Sequence, residues 1–220
     1  MNYRLAYAIG FHPWEDLAGH PPFADKLMEL VAREENGREP PYGPALDIGT
    51  GSGVWGVELA NRGWDVTGVD IVPKALDRAR ERVAGAGVDM RLVHGDVTAL
   101  GDSEVGSGFR LVVDTGTFHG LSEPGREAMA RELGAVCADD AVVILDCFTP
   151  RRRGPLPRGA SRAEVESAFR GWEITDVEDA DSDPEAIARM FRFDERFYRL
   201  RRKVRPGSYS ASGAVRARSA

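Results

Sequence analysis

Cysteine is scarce in this chain of 220 residues: only Cys137 and Cys147 are present, without metal-ligand spacing. A disulfide framework and a thiolate metal centre are thereby excluded, no metal is expected, and the reducing cytoplasm is the expected setting. Long apolar runs are also missing. The densest, Ala141 to Leu145, is far too short to cross a bilayer, and Met1 to Trp14 lacks the basic start and apolar stretch of an export signal. No membrane partner is expected. Basic charge is not in excess either: 29 Lys and Arg stand against 35 Asp and Glu, a net charge of −6. Gripping a polyanion needs a basic face, so nucleic acid is not the expected partner.

What is present is ordinary for a globular fold, with 42% hydrophobic and 29% charged residues. That supports a sizeable core in one domain with decorated ends. The division expected is an N-terminal lid or helical element over 1–43, a core domain over 44–203 and a flexible Gly, Ser, Ala and Arg tail over 204–220.

From residue 44 to 148 short β-branched runs alternate with helical stretches, the pattern of a doubly wound α/β sheet. Strands are predicted at Pro44–Ile48, Trp64–Asp70, Met90–Val93, Leu111–Asp114 and Ala141–Cys147. Helices are predicted at Val54–Asn61, Pro73–Ala84 and Gly125–Cys137, the second opened by proline and ended by Gly85 and Gly87. Cys137 then falls at a helix end and Cys147 in a strand. Beyond residue 150 a helix over Arg162–Phe169 and strands over Trp172–Val177 and Arg196–Lys203 read as a β-hairpin closing the sheet.

The first strand runs into Asp47-Ile48-Gly49-Thr50-Gly51-Ser52-Gly53, a loop in which a ligand can lie against bare backbone at a helix N-terminus. The second strand ends at Asp70, placed to accept from both hydroxyls of a ribose held across that loop. Together they describe a nucleoside site. Gly51-Ser52-Gly53-Val54-Trp55-Gly56 also satisfies the dinucleotide fingerprint, so a dinucleotide-dependent oxidoreductase stands as the enzymatic alternative. Asp47 argues against it. An acid there repels a pyrophosphate and attracts an ammonium group.

The series Asp47-x-Gly49-x-Gly51-x-Gly53, with Asp70 closing the second strand and His94-Gly95-Asp96-Val97 closing the third, resembles the signature of class I methyltransferases. The likeness extends over roughly residues 10 to 203 and is closest to the small-molecule branch of tellurite-resistance and thiopurine methyltransferases. It implies a mostly parallel seven-stranded sheet with a reversed last strand, and S-adenosyl-L-methionine as cofactor. By the same resemblance, the loop Asp47, Gly49, Thr50, Gly51, Ser52 and Gly53 wraps the methionine moiety and Asp70 with Ile71 meets the ribose side. Gly95, Asp96 and Val97 meet the adenine, with Asp96 accepting from its amino group. Asp114 and Thr115, ending the fourth strand, would contact the methionine group, and Trp14 would fold over the cofactor.

On the acceptor side, His119 is the candidate general base, its ordinary pKa lying near working pH. Relatives often carry a second histidine where Gly120 stands here, which leaves a packed wall residue as the other reading of His119. Phe11, Phe118, His119, Phe148 and Phe191 are the expected pocket residues for a compact, partly apolar acceptor. The function expected is transfer of a methyl group to a sulfur, nitrogen or oxygen nucleophile of a small molecule, by a monomer or homodimer. A non-catalytic cofactor-binding partner subunit is the third possibility. Arg151–Arg153 and the arginines from Arg196 to Arg205 form basic exceptions that a solvated loop and strand would explain.

Overall fold

The computed structural model describes residues 21–151, 157–180 and 195–203. Helix α1 (Pro21–Glu35) leads into β1 (Gly43–Ile48), α2 (Val54–Arg62), β2 (Trp64–Asp70), α3 (Pro73–Ala86) and β3 (Met90–His94). After a single 3-10 turn come β4 (Phe109–Asp114), a second 3-10 turn over Phe118–Gly120, α4 (Glu123–Val136) and β5 (Cys137–Phe148). The chain continues with α5 (Arg162–Ala168), β6 (Trp172–Asp179) and β7 (Glu195–Arg202).

The seven strands form one sheet in the order β3-β2-β1-β4-β5-β7-β6. β1 to β5 run parallel; β7 is antiparallel to both β5 and β6. This is the Rossmann-like methyltransferase topology, with the hairpin that the alternation after residue 170 predicts. Parallel strands buried on both faces need apolar side chains on both, and β5 supplies them. Val143, Leu145 and Cys147 join the core under α4 and α5, while Val142 and Ile144 join the core under α1 and α2.

Local chemistry sets the helix ends. Gly63 and Gly87 take positive φ of 105° and 68° and stop α2 and α3. Ser122 caps α4, and α5 opens on a capping box between Ser161 and Glu164. Gly85 lies inside α3 instead of ending it, because Gly87 alone takes the left-handed conformation there. Cys137 is both the C-cap of α4, its amide donating to the Leu133 carbonyl, and the first residue of β5. Asp139 and Asp140 lie at the exposed start of that strand, where charge costs nothing and hides the extended stretch from a search for apolar runs.

α1 buries Phe23, Leu27, Leu30 and Val31 and is tied to the hairpin by ion pairs. Lys26 and Arg33 bond Glu178, and Arg199 meets Glu34 at 2.5 Å. Arg196 pairs Asp179, Arg201 pairs Glu34, and Arg202 pairs Asp139 while binding the carbonyls of Gly134 and Cys137. The basic cluster of the last strand is thus matched by acids and carbonyls. Among the described residues no helix is long and apolar enough to cross a membrane. Of the expected N-terminal lid or helical element over 1–43, residues 1–20 lie outside the described residues, as does the expected tail over 204–220.

Candidate active site

The strand registers bring the ends of β1, β2, β4 and β5 and the start of β7 to one edge of the sheet. Ile48 pairs Val69 and Asp114, Asp114 pairs Leu145, and Phe148 pairs Glu195. Ligands of open α/β sheets bind outside such carboxyl ends, at the point where strand order reverses, here between β1 and β4.

At that point the glycine loop turns back over β1. Gly49, Gly51 and Gly53 take φ of 62°, 55° and 77°, a region L side chains avoid. A Cβ at Gly49 would stand 2.0 Å from Thr117 Oγ1, so the loop and the segment after β4 close against each other there. Asp47 is buried, with Thr50 Oγ1 donating to its Oδ2 at 2.5 Å. Burial pushes its carboxyl up to about 7, with Asp114 and Asp70 adding to the rise against the bonds from Thr50 and the Gly56 amide. Asp70 accepts from the Gly51 amide at 2.9 Å and from the Val72 amide at 2.8 Å, fixing the loop to the end of β2. Burial raises its carboxyl despite these bonds.

Next to it stands Ile71, the one exposed large hydrophobic among the described residues, at 39% exposure. Across from it, Asp96 is exposed and holds Thr98 through Oδ1 alone, accepting from the amide at 2.8 Å and from the hydroxyl at 2.7 Å. Gly95 packs closely under Ser103 and Val69 and donates to the Asp70 carbonyl at 3.1 Å.

The remaining expected site residues turn inward or form the turn after β4. Asp114 is fully buried and its two oxygens accept from the amides of Gly116, Thr117 and Phe118, so it shapes the turn after β4 from within. Burial carries its carboxyl up to about 6. Thr115 follows half-buried at the edge. Ser52 is buried, its carbonyl held by Arg82, and the Val97 side chain belongs to the core. Phe118, expected in the pocket, is a core residue: its ring packs on Phe169 and lies under the Arg126 guanidinium. Phe11, Trp14 and Phe191 lie outside the described residues.

His119 and Phe148 do meet. Their rings stack with centroids 4.3 Å apart, and His119 Nδ1 faces the Phe148 amide at 3.3 Å. A ring nitrogen that accepts from a backbone N–H carries no proton, so in the neutral imidazole Nε2 carries it. That tautomer opposes the expected base role, because the lone pair a base needs is already engaged.

Three features lay beyond sequence reasoning. Arg126, buried in α4, donates to the carbonyls of Phe118, His119 and Gly159 and pairs Glu164, locking the His119 turn to the segment after β5. Gly159 packs on the end of β5, where a Cβ would stand 2.3 Å from the Phe148 carbonyl oxygen. Asp146 and Glu195 are buried acids on β5 and β7. For Asp146 a signal existed, a carboxylate in the apolar run Ala141–Phe148, which invites a question that periodicity does not answer.

Comparison with known proteins agrees with this geometry. Residues 45–140 match the methyltransferase domain family. A 2-heptyl-1-hydroxyquinolin-4(1H)-one methyltransferase of Mycobacteroides abscessus is 28% identical over 175 residues, 76% of this chain and 74% of its own. An uncharacterized methyltransferase of Mycobacterium tuberculosis is 34% identical over 111 residues, and the chain spans 54% of its length. A TehB-like S-adenosylmethionine-dependent methyltransferase of Corynebacterium glutamicum superposes with a TM-score of 0.59 at 23% identity, covering 84% of this chain and 99% of its own. The chain carries a methyltransferase domain over residues 45–140 on a Rossmann-like fold and resembles the TehB type. It is an enzyme that depends on S-adenosylmethionine, which sets aside the oxidoreductase and the non-catalytic subunit.

Proposed function

We propose that this enzyme methylates a small-molecule acceptor at a sulfur, nitrogen or oxygen atom, by in-line displacement at the edge formed by β1, β4 and β5. When bound, S-adenosylmethionine supplies an electrophilic methyl group on a sulfonium. The observation that carries the reading is Asp70, which bonds the Gly51 amide and so ties the glycine loop to a strand-end carboxylate beside exposed Ile71. These groups fit a ribose and an adenine. Asp70 keeps lone pairs for ribose hydroxyls, Ile71 offers an apolar face, and Asp96 Oδ2 is the carboxylate oxygen not used by Thr98.

Asp47, acidic and buried beneath the loop, would hold the ammonium group, and the positive-φ glycines would let the methionine moiety approach bare backbone. Asp114 would act indirectly, by aiming Thr115 and Gly116 at the same place. Phe148 with His119 stacked on it would form one wall of the acceptor pocket. A thiolate or free amine attacks a sulfonium with little help beyond alignment, so a dedicated base is not required of every acceptor.

The small-molecule assignment is supported by the hydroxyquinolone methyltransferase likeness, by the acidic net charge and by the pairing of the Arg196–Arg202 cluster with acids. Incubation with labelled S-adenosylmethionine and a panel of thiol, amine and phenol acceptors tests it. Release of S-adenosylhomocysteine with label in a small product is the expected result. Robust, salt-sensitive labelling of mixed nucleic acid would overturn the acceptor class and leave the fold intact.

A further inference from the structure

Among the described residues, one buried side-chain polar atom has no hydrogen-bond partner: Asp146 Oδ1. Asp146 is 2% exposed and stands two residues before the end of β5, on the sheet face of Val142 and Ile144. Phe148, the next residue on that face, carries the stacked His119 ring. Glu195, also buried, begins β7 as the register partner of Phe148, and Phe197 is the partner of Asp146. On the other side, Asp114 ends β4 as the partner of Leu145. Three strand-end acids therefore converge beside the wall given to the acceptor, and one oxygen among them is unsatisfied.

A buried carboxyl oxygen without a donor is costly, and folds remove such atoms unless something else completes them. Asp114 shows the usual solution, with three amides donating to it. Asp146 does not follow it. Burial, with Glu195 and Asp114 facing it, drives its carboxyl well above the ordinary range. An N–H or O–H placed there would meet an acceptor atom in need of one.

We propose that Asp146 Oδ1 is a specificity-determining group of the acceptor site, receiving a hydrogen bond from a neutral or cationic acceptor that carries an N–H or O–H. The inference rests on the acceptor position proposed above and narrows its chemistry.

The test uses the full chain and two variants, Asp146→Asn and Asp146→Leu, read by thermal unfolding, by calorimetry with S-adenosylhomocysteine and by methyl transfer. The acceptor panel is aniline, benzylamine, phenol and 4-hydroxyquinoline against benzoate, selenite and tellurite. A carboxyl kept for a ligand burdens the empty fold, so Asp146→Leu should melt at a temperature equal to or above that of the parent chain. Cofactor affinity should stay within twofold in both variants. Transfer should occur to members bearing N–H or O–H, with KM raised at least tenfold in Asp146→Leu. A clear fall in melting temperature in both variants would show a structural carboxyl and overturn the proposal. So would preferred methylation of the anions, silence across the whole N–H and O–H half of the panel, or an unchanged KM in Asp146→Leu. Loss of cofactor binding by the parent chain would instead strike the reading on which the inference rests.

Discussion

Asp47 differs from an ordinary surface acid in one consequential way: burial pushes its carboxyl up to about 7, so it changes charge within the working range of an enzyme. Asp114 and Asp70 reinforce the rise, and only the Thr50 hydroxyl and the Gly56 amide oppose it. If Asp47 holds the ammonium of the cofactor, binding requires its ionised form, and affinity must increase as pH rises through about 7. Between pH 6 and 8 the ionised fraction grows roughly tenfold, and S-adenosylhomocysteine affinity should grow by a comparable factor. Asp47→Asn should flatten that profile at the lower affinity. A parent chain with equal affinity at both pH values would remove Asp47 from ammonium binding.

At the same scale, the placement of the glycine loop after β1, of Asp70 at the end of β2 and of Asp96 after β3 was legible because turn chemistry and position after a strand are both displayed by a sequence. The inward turn of the Phe118 and Val97 side chains was not legible because nothing in a sequence says which way a side chain points after a strand ends. The turn at Phe118–Gly120, pulled tight by Asp114 and Arg126, sends the Phe118 ring into the core and leaves His119 toward Phe148.

Among elements, the strands that pair inside the sheet were read within a few residues, since burial on both faces forces apolar runs. β2 matches its predicted span, Trp64–Asp70, from end to end. β5 starts four residues before its predicted start because Asp139 and Asp140 interrupt the apolar pattern at its exposed beginning. The segment after β5 was less legible still, since its role depends on contacts distant in sequence. Gly159 takes φ of 90° and packs on the backbone of Phe148 and Thr149, while its carbonyl accepts from Arg126 at 2.8 Å. Gly159→Ala would set a Cβ against two carbonyl oxygens that cannot move aside, and should cost about 1–3 kcal/mol by chemical denaturation. Gly134→Ala, in α4 with nothing within 4 Å of its Cβ, should instead gain up to about 1 kcal/mol. Equal effects from the two would deny the close approach at the end of β5.

Across the whole molecule the design is a division of one sheet edge. Beside β1 and β2 the acids are engaged by backbone and hydroxyl donors, with exposed Ile71 next to Asp70. Toward β5 and β7 the acids are buried and one oxygen lacks a donor. The doubly wound class and the reversed hairpin were readable from alternating periodicity. The division of the edge was not, because it depends on strand order, and only strand order sets β4 between β1 and β5. The claim on which everything else depends is that the carboxylate ending β2 holds the cofactor across the glycine loop. Calorimetric titration of the parent chain and Asp70→Ala with S-adenosylhomocysteine at pH 8 addresses it directly. Asp70→Ala loses charge-assisted ribose bonds, about 1.5–3 kcal/mol each at most, together with its hold on Gly51. We expect one saturable site in the parent chain and affinity lowered at least tenfold in the variant, whereas equal affinity in the two proteins would contradict the account.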